Sequence, residues 1–165
     1  MPTLIRRDAD GFHAAEDVFT DVADEDVIPD GAVILSLTRF QAEGDALVTA
    51  GRRVGVRLQP DEAVEDLAYD LPRLALVAPV FPKFRDGRAF TTARLLRDRF
   101  GFTGEVRAVG EVLRELAGFM VRTGFDAFVP ADGSTPADWA AAAGRFRHVY
   151  QRSSDGRAPA FEERG

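Results

Sequence analysis

Five short apolar runs alternate with segments of helical periodicity, and this alternation limits the folds open to the chain. The runs are Ala32–Leu37, Val54–Leu58, Leu74–Val77, Glu105–Val109 and Asp126–Val129. Short apolar runs are typical of strands that are buried on both faces, as in a parallel sheet. The pattern therefore predicts an α/β fold built from repeated right-handed strand–helix–strand units.

Helices are predicted after each of these runs. They cover Arg39–Ala50, Glu62–Tyr69, Gly87–Phe100, Glu111–Thr123 and a last segment from Thr135 to about Tyr150. The start of the last predicted helix is the clearest, because Thr135 suits an N-cap, Pro136 suits the first helical position and an acid follows three residues after the cap. Two architectures fit a mainly parallel sheet of about five strands: a partial β/α barrel of the TIM type, and an open three-layer sandwich.

The 165 residues are predicted to form a single α/β domain over residues 32–151, between an acidic lead-in and a polar tail. In the lead-in, residues 1–31, nine acids stand against only Arg6 and Arg7. An acidic run of this kind is usually a solvated face or a flexible lead-in, and less often a docking strip for a basic partner. Residues 152–165 are polar and contain Gly and Pro, so a flexible tail is predicted there.

The composition excludes several classes of function. The chain has no cysteine, and His13 and His148 lie far apart, so we expect no thiolate chemistry, no metal site and no redox cofactor. A net charge of −6 argues against nucleic-acid binding. No apolar stretch approaches the ~20 residues of a membrane span, and no signal peptide is recognised. We therefore expect a cytoplasmic protein that does not bind membranes.

The densest group of cations follows the third predicted strand, at the carboxyl end where parallel-sheet folds collect functional residues. The candidate ligand-binding residues are Lys83, Arg85, Asp86, Arg88, Thr91 and Arg94. Lys83 is the only lysine in a chain with 20 arginines. Together with the free N–H groups of the next helix, these side chains could bind a small oxyanion or dock a protein. The structural alternative is that Asp86 is the N-cap of that helix and an arginine pairs with it.

Two carboxylates flank the fourth predicted strand. Glu105 begins the strand and Glu111 follows it, and either could act as a general acid or base if buried near the cationic loop. The alternative is that they form exposed ion pairs, as such residues more often do. The chain contains neither of the glycine motifs that bind phosphate groups, and no Ser–His–acid arrangement is recognised.

The run from Phe81 to Phe128 resembles the signature of a bacterial family known as domain of unknown function nine-three-four. The matching positions are Phe81, Pro82, Phe84, Asp86, Gly87, Arg88, Phe90, Ala93, Arg94, Leu96, Arg97, Gly101, Gly104, Glu105, Arg107, Ala108, Gly110, Gly124 and Phe128. The general pattern extends from about Val33 to Tyr150, and it departs at Arg114–Leu116, where an amide-bearing step is expected. Members are often labelled probable oxidoreductases, and their genes commonly lie beside those for sulfite reductase.

The resemblance implies a role in assimilatory sulfate or sulfite reduction. We expect an accessory protein that has no redox cofactor of its own and binds sulfite reductase. The alternative is a small enzyme or sensor that binds an anionic sulfur or phosphorylated metabolite at the Lys83–Arg88 loop. A purely structural half-barrel that dimerises also fits the predicted fold, and the oligomeric state is not predicted.

Overall fold

An eight-stranded sheet forms the frame of the protein. The computed structural model describes residues 3–83 and 86–144. The strands are β1 (Leu4–Asp8), β2 (Gly11–Ala15), β3 (Phe19–Asp21), β4 (Ala32–Ser36), β5 (Val54–Leu58), β6 (Leu76–Phe81), β7 (Glu105–Gly110) and β8 (Ala127–Phe128). Their order across the sheet is β2-β1-β8-β7-β6-β5-β4-β3. Strands β3 to β8 are parallel and in sequential order, whereas β1 is antiparallel to both β2 and β8.

Four helical segments accompany the sheet in the part of the chain that the structure describes. Helix α1 consists of Leu37–Arg39, a π-helical turn at Phe40–Gly44 and Asp45–Thr49, and α2 consists of Arg88–Arg94 and a π-helical turn at Leu95–Arg99. A 3₁₀ turn, Arg114–Leu116, leads into α3 (Ala117–Thr123), and α4 is Pro136–Ala143. Sequential strand order with right-handed connections places such helices on one side of the sheet, where they share one continuous core. Within the described residues, every helix is too short or too polar to cross a membrane.

The sheet curls into a half-barrel. Strands β2 and β3 are its two edges, yet the four steps from Ala15 to Phe19 reach at most about 14 Å. The edges of a flat sheet of eight strands would lie about 34 Å apart. The short link therefore draws the edges together and leaves a narrow concave interior. Side chains fill this interior, as in small barrels, and a second apolar cluster there contains Ile34, Leu76 and Ala78.

The observed fold is mixed α/β with a mainly parallel sheet, as predicted, and it matches the partial barrel rather than the sandwich. The five predicted runs correspond to β4–β8, but the sheet has eight strands rather than about five. The three additional strands come from residues 4–21, within the predicted lead-in. The sequence pattern of these three strands is weak, because β1 and β2 contain polar residues and β3 has only three residues.

The predicted helix over Glu62–Tyr69 is wrong. This part of the chain forms two 3₁₀ turns, Val64–Leu67 and Leu71–Arg73. The backbone at Ala63 is extended, so no α-helix starts there, and Pro72 disfavours helical geometry at the residue before it. Val64, Leu67 and Leu71 are nevertheless buried, so the apolar spacing of this segment reflects burial rather than helix formation.

The predicted start of α4 is confirmed. Thr135 Oγ1 accepts the backbone N–H of Asp138 at 3.2 Å, and the Asp138 carboxylate accepts the backbone N–H of Thr135 at 2.9 Å. Trp139, which is fully buried, donates its Nε1–H to Ser134 Oγ at 2.8 Å. The predicted continuation to Tyr150 and the predicted tail lie outside the described residues.

Candidate functional site

A chain of ion pairs lies inside the half-barrel. The Nε of Arg107 lies 2.6 Å from Glu105 Oε2, and its Nη1 lies 2.9 Å from Asp17 Oδ2. The other carboxylate oxygen of Glu105, Oε1, lies 2.7 Å from Arg6 Nη2. These contacts connect β7 with β1 and with the link between β2 and β3. They therefore hold the curled sheet together through charged groups.

Arg107 is the most buried charged residue of this chain of ion pairs, with 1% of its surface exposed. Strand β7 alternates, so Val106 and Ala108 face the helices while Arg107 faces the concave interior. Its guanidinium lies 5.6 Å from the centre of the Phe19 ring, and its Nη2 has no hydrogen-bond partner among the described residues. Burying a cation costs several kcal/mol, which the two neighbouring carboxylates offset.

A second group of contacts lies toward the carboxyl ends of the strands. Arg57 at the end of β5 pairs with Asp21 at the end of β3. Burial raises the pKa of the Asp21 carboxyl, although Arg57 and Arg107 act in the opposite direction. Next to this pair, Ser36 Oγ donates to Asp24 Oδ1 at 2.6 Å and also caps α1. These contacts attach the acidic N-terminal segment to the rim of the half-barrel.

The segment after Asp24 is acidic and exposed, and we call residues 25–30 the acidic loop. Glu25, Asp26 and Asp30 are all exposed, and none of them has an ion-pair partner among residues 3–83 and 86–144. Val27, in the same loop, is 89% exposed. The acidic loop therefore presents unpaired carboxylates around an apolar side chain.

A cavity of about 360 Å³ opens at the amino ends of the parallel strands. Its lining includes Arg53, just before β5, and Thr103 and Gly104, just before β7. Because β1 runs antiparallel, its carboxyl end adds Arg6 and Arg7. The guanidinium of Arg53 lies 4.9 Å from the centre of the Phe19 ring, which also lines the cavity. We call this the amino-end cavity.

Three carboxylates also line the amino-end cavity: Asp8, Glu105 and Asp126. Burial raises the pKa of Asp126, although its Oδ1 accepts the backbone N–H of Val106 at 2.8 Å and lies 3.4 Å from Arg97 Nη2. Glu105 is already paired with two arginines. Asp8 accepts the backbone N–H of Asp10 and lies 3.5 Å from His13 Nε2. Each carboxylate therefore already has a partner in the protein.

The predicted cationic loop lies at the opposite, carboxyl end of the sheet. Arg88 donates from Nε and Nη2 to the two oxygens of Asp86, at 3.0 and 2.7 Å. These hydrogen bonds lower the pKa of Asp86 to about 2. Gly87, not Asp86, is the N-cap of α2, although Asp86 accepts the backbone N–H of Arg88. Lys83 is exposed, and Arg85 lies outside the described residues.

The other predicted site residues are separated from one another. Thr91 and Arg94 are both exposed on α2. Glu105 lies at the amino end of β7 and Glu111 just beyond its carboxyl end, so their Cα atoms are about 20 Å apart along the strand. Glu105 is thus remote from the cationic loop. The exposed Glu111 contacts that region through its backbone, whose N–H donates to the carbonyl oxygen of Phe81 at 2.6 Å.

Of the residues that line the amino-end cavity, the sequence pointed only to Glu105. Arg53 and Thr103 precede strands, whereas the candidate residues were predicted in loops that follow strands. The buried ion pairs of the interior did leave a signal in the sequence, because Arg57 and Arg107 interrupt otherwise apolar runs. A charge at an inward position of a buried strand indicates a charged partner inside the fold.

The comparisons with known proteins identify one family. The model of a family described as a bacterial protein of unknown function, DUF934, matches residues 55–161. The match begins later than the predicted resemblance and extends past Tyr150 into the predicted tail. No curated protein is significantly similar in sequence to the chain.

Proposed function

We propose, since the chain belongs to the bacterial DUF934 family, that it is an accessory protein of assimilatory sulfate or sulfite reduction. In this role it binds sulfite reductase and contributes no redox cofactor of its own. The electron transfer then takes place on the reductase, because a chain without cysteine supplies no thiol couple. The choice of partner follows from the family resemblance.

The acidic loop is the observation that carries this proposal. Its unpaired carboxylates, Glu25, Asp26 and Asp30, surround the exposed Val27. Two other acids of residues 1–30, Asp17 and Asp21, are instead paired with arginines of the half-barrel. A negative rim around an apolar contact complements a basic surface, because the charges steer the encounter and the apolar group is buried on binding. We therefore assign the acidic loop to the contact with the reductase.

Charge reversal in the acidic loop tests this assignment. With purified sulfite reductase from the same organism, the Glu25→Lys/Asp26→Lys variant is expected to bind about tenfold more weakly than the native chain at low salt. The matched control is Asp66→Lys/Glu115→Lys, which reverses two exposed acids elsewhere on the surface. Binding is measured by surface plasmon resonance at several salt concentrations.

An apolar pair of variants completes this test. Val27→Ser removes the exposed side chain of the acidic loop, and Tyr69→Ser removes another side chain that is also 89% exposed. Only Val27→Ser is expected to weaken binding. The proposal is overturned if the native chain does not bind the reductase, or if both members of each matched pair behave alike.

The second candidate function is a small enzyme or sensor that binds an anionic metabolite at the Lys83–Arg88 loop. One observation favours it: Arg88 already presents two donors to a carboxylate, and the same fork suits an oxyanion. Asp86 competes with any such ligand. The Asp86→Asn variant removes the charge of this competitor and is therefore expected to bind sulfate severalfold more tightly. The Arg88→Ala variant is expected to lose sulfate binding at this loop.

Calorimetric titration with sulfate at low ionic strength measures both effects. The control variant is Arg99→Ala, which removes an exposed arginine that also pairs with a carboxylate, that of Glu65. If Asp86→Asn and Arg88→Ala both bind sulfate as the control does, the loop is not an anion site.

A further inference from the structure

We infer that the amino-end cavity is a binding site for a small anionic metabolite, one that carries a carboxylate, phosphate or sulfur oxyanion group. The cationic loop predicted from the sequence lies at the opposite end of the sheet, and the cavity requires no partner protein. Its size is the first argument. A volume of about 360 Å³ lies within the range of about 300–1,000 Å³ that small-molecule sites occupy.

The charge of the lining is the second argument. Of the three arginines, only Arg6 is paired with a carboxylate. Arg7 and Arg53 have no ion-pair partner in the part of the chain that the structure describes. The three carboxylates of the lining, by contrast, already accept hydrogen bonds or lie beside cations of the protein. Arg53 thus brings to the lining a guanidinium without an ion-pair partner among the described residues, whereas no carboxylate of the lining is equally free, so the cavity favours an anion.

Preorganisation is the third argument. Arg53 lies over Phe19 at 4.9 Å, and Phe19 is only 7% exposed, so the ring that supports the guanidinium is itself fixed in the interior. Arg107 lies over the same ring at 5.6 Å, which ties this part of the cavity to the buried ion pairs. A guanidinium held in place loses less conformational entropy when it binds an oxyanion.

Another part of the lining comes from the residues just before β7. Gly104 is one of them, and a Cβ at this position would lie 2.9 Å from the carbonyl oxygen of Ala75 and 2.5 Å from the Phe102 ring. Glycine is therefore required here by the packing against Phe102 and Ala75. Thr103 adds a hydroxyl group to the same wall. A ligand anion held by Arg53 would therefore have polar groups on a second side.

Titration calorimetry at low ionic strength tests the site, with sulfite, sulfate, phosphate and succinate as separate probes. At least one probe is expected to bind, and its affinity is expected to fall as salt is added. Arg53→Gln should lower that affinity about tenfold, which is the effect expected for losing one charge-assisted interaction. The comparison among probes shows whether the preferred group is a carboxylate or an inorganic oxyanion.

Arg99→Gln is the matched control, because Arg99 is also exposed and also lies over an aromatic ring, that of Phe100, at 5.2 Å. It is expected to leave the affinity unchanged. The inference is overturned if no probe binds at low salt, or if Arg53→Gln leaves the binding intact. Since these titrations use the isolated chain, they are independent of whether the acidic loop binds the reductase.

Discussion

The Arg107→Met variant is expected to unfold at a much lower urea concentration than the native protein, with a loss of about 3–5 kcal/mol in the free energy of unfolding. Arg107 is 1% exposed and neutralises Glu105, whose side chain is only 11% exposed. Methionine has a similar shape, so the packing volume is largely preserved. Stability is lost because the carboxylate of Glu105 loses one of its two arginine partners while it stays in the interior.

A double variant separates this cause from a simple packing defect. Glu105→Gln/Arg107→Met removes the charge of the carboxylate as well, so it is expected to be more stable than Arg107→Met alone. Arg57→Met provides the comparison on the same concave side, since its partner Asp21 is more than half exposed and remains hydrated. Its cost is expected to stay below about 1 kcal/mol. If the double variant is less stable than the single one, the buried ion pair is not the cause.

The second large loss of stability is expected on replacing Arg97, whose hydrogen bonds join the segments just before β7 and β8. Its Nη1 donates to the carbonyl oxygens of Phe102 and Gly104, both at 2.8 Å, and its Nε donates to that of Gly124 at 3.0 Å. In Arg97→Met these three partly buried carbonyls lose their donor. At about 1 kcal/mol or more for each unsatisfied group, the expected loss is about 2–4 kcal/mol.

Chemical denaturation with a neighbouring variant checks this expectation. Arg99→Met removes an arginine two residues away that is exposed and pairs with Glu65, so a change of less than about 1 kcal/mol is expected. The m-value, which is the slope of the free energy of unfolding against denaturant concentration, should be the same for both variants if only stability changes. Equal losses in Arg97→Met and Arg99→Met would show that the three backbone contacts add little.

Much of the parallel part of the sheet was predictable from local patterns. The runs that became β4–β8 are largely apolar because both faces of these strands are mostly buried. The capping box at Thr135 was also readable, because all its components lie within four residues. Features of this kind depend on neighbours in the sequence.

What could not be predicted depends on contacts between distant parts of the chain. One of the two partners of Arg107 is Asp17, 90 residues away, and it comes close because the short β2–β3 link draws the sheet edges together. The amino-end cavity combines Arg6 from an antiparallel strand with Arg53 and Thr103 from two other connections. No local sequence pattern predicts that these residues lie close together. The roles predicted for Lys83, Arg85 and Arg88 remain predictions.

The position of β1 has a consequence for how the protein is made. Ile5 of β1 pairs with Phe128 of β8, so the first of the eight described strands to be synthesised has its place beside the last of them. At about 5–20 residues per second, synthesis needs roughly 6–25 seconds to pass from β1 to β8. During that interval the hairpin of β1 and β2 has no β8 to pair with, so this sheet is completed only after β8 has been made.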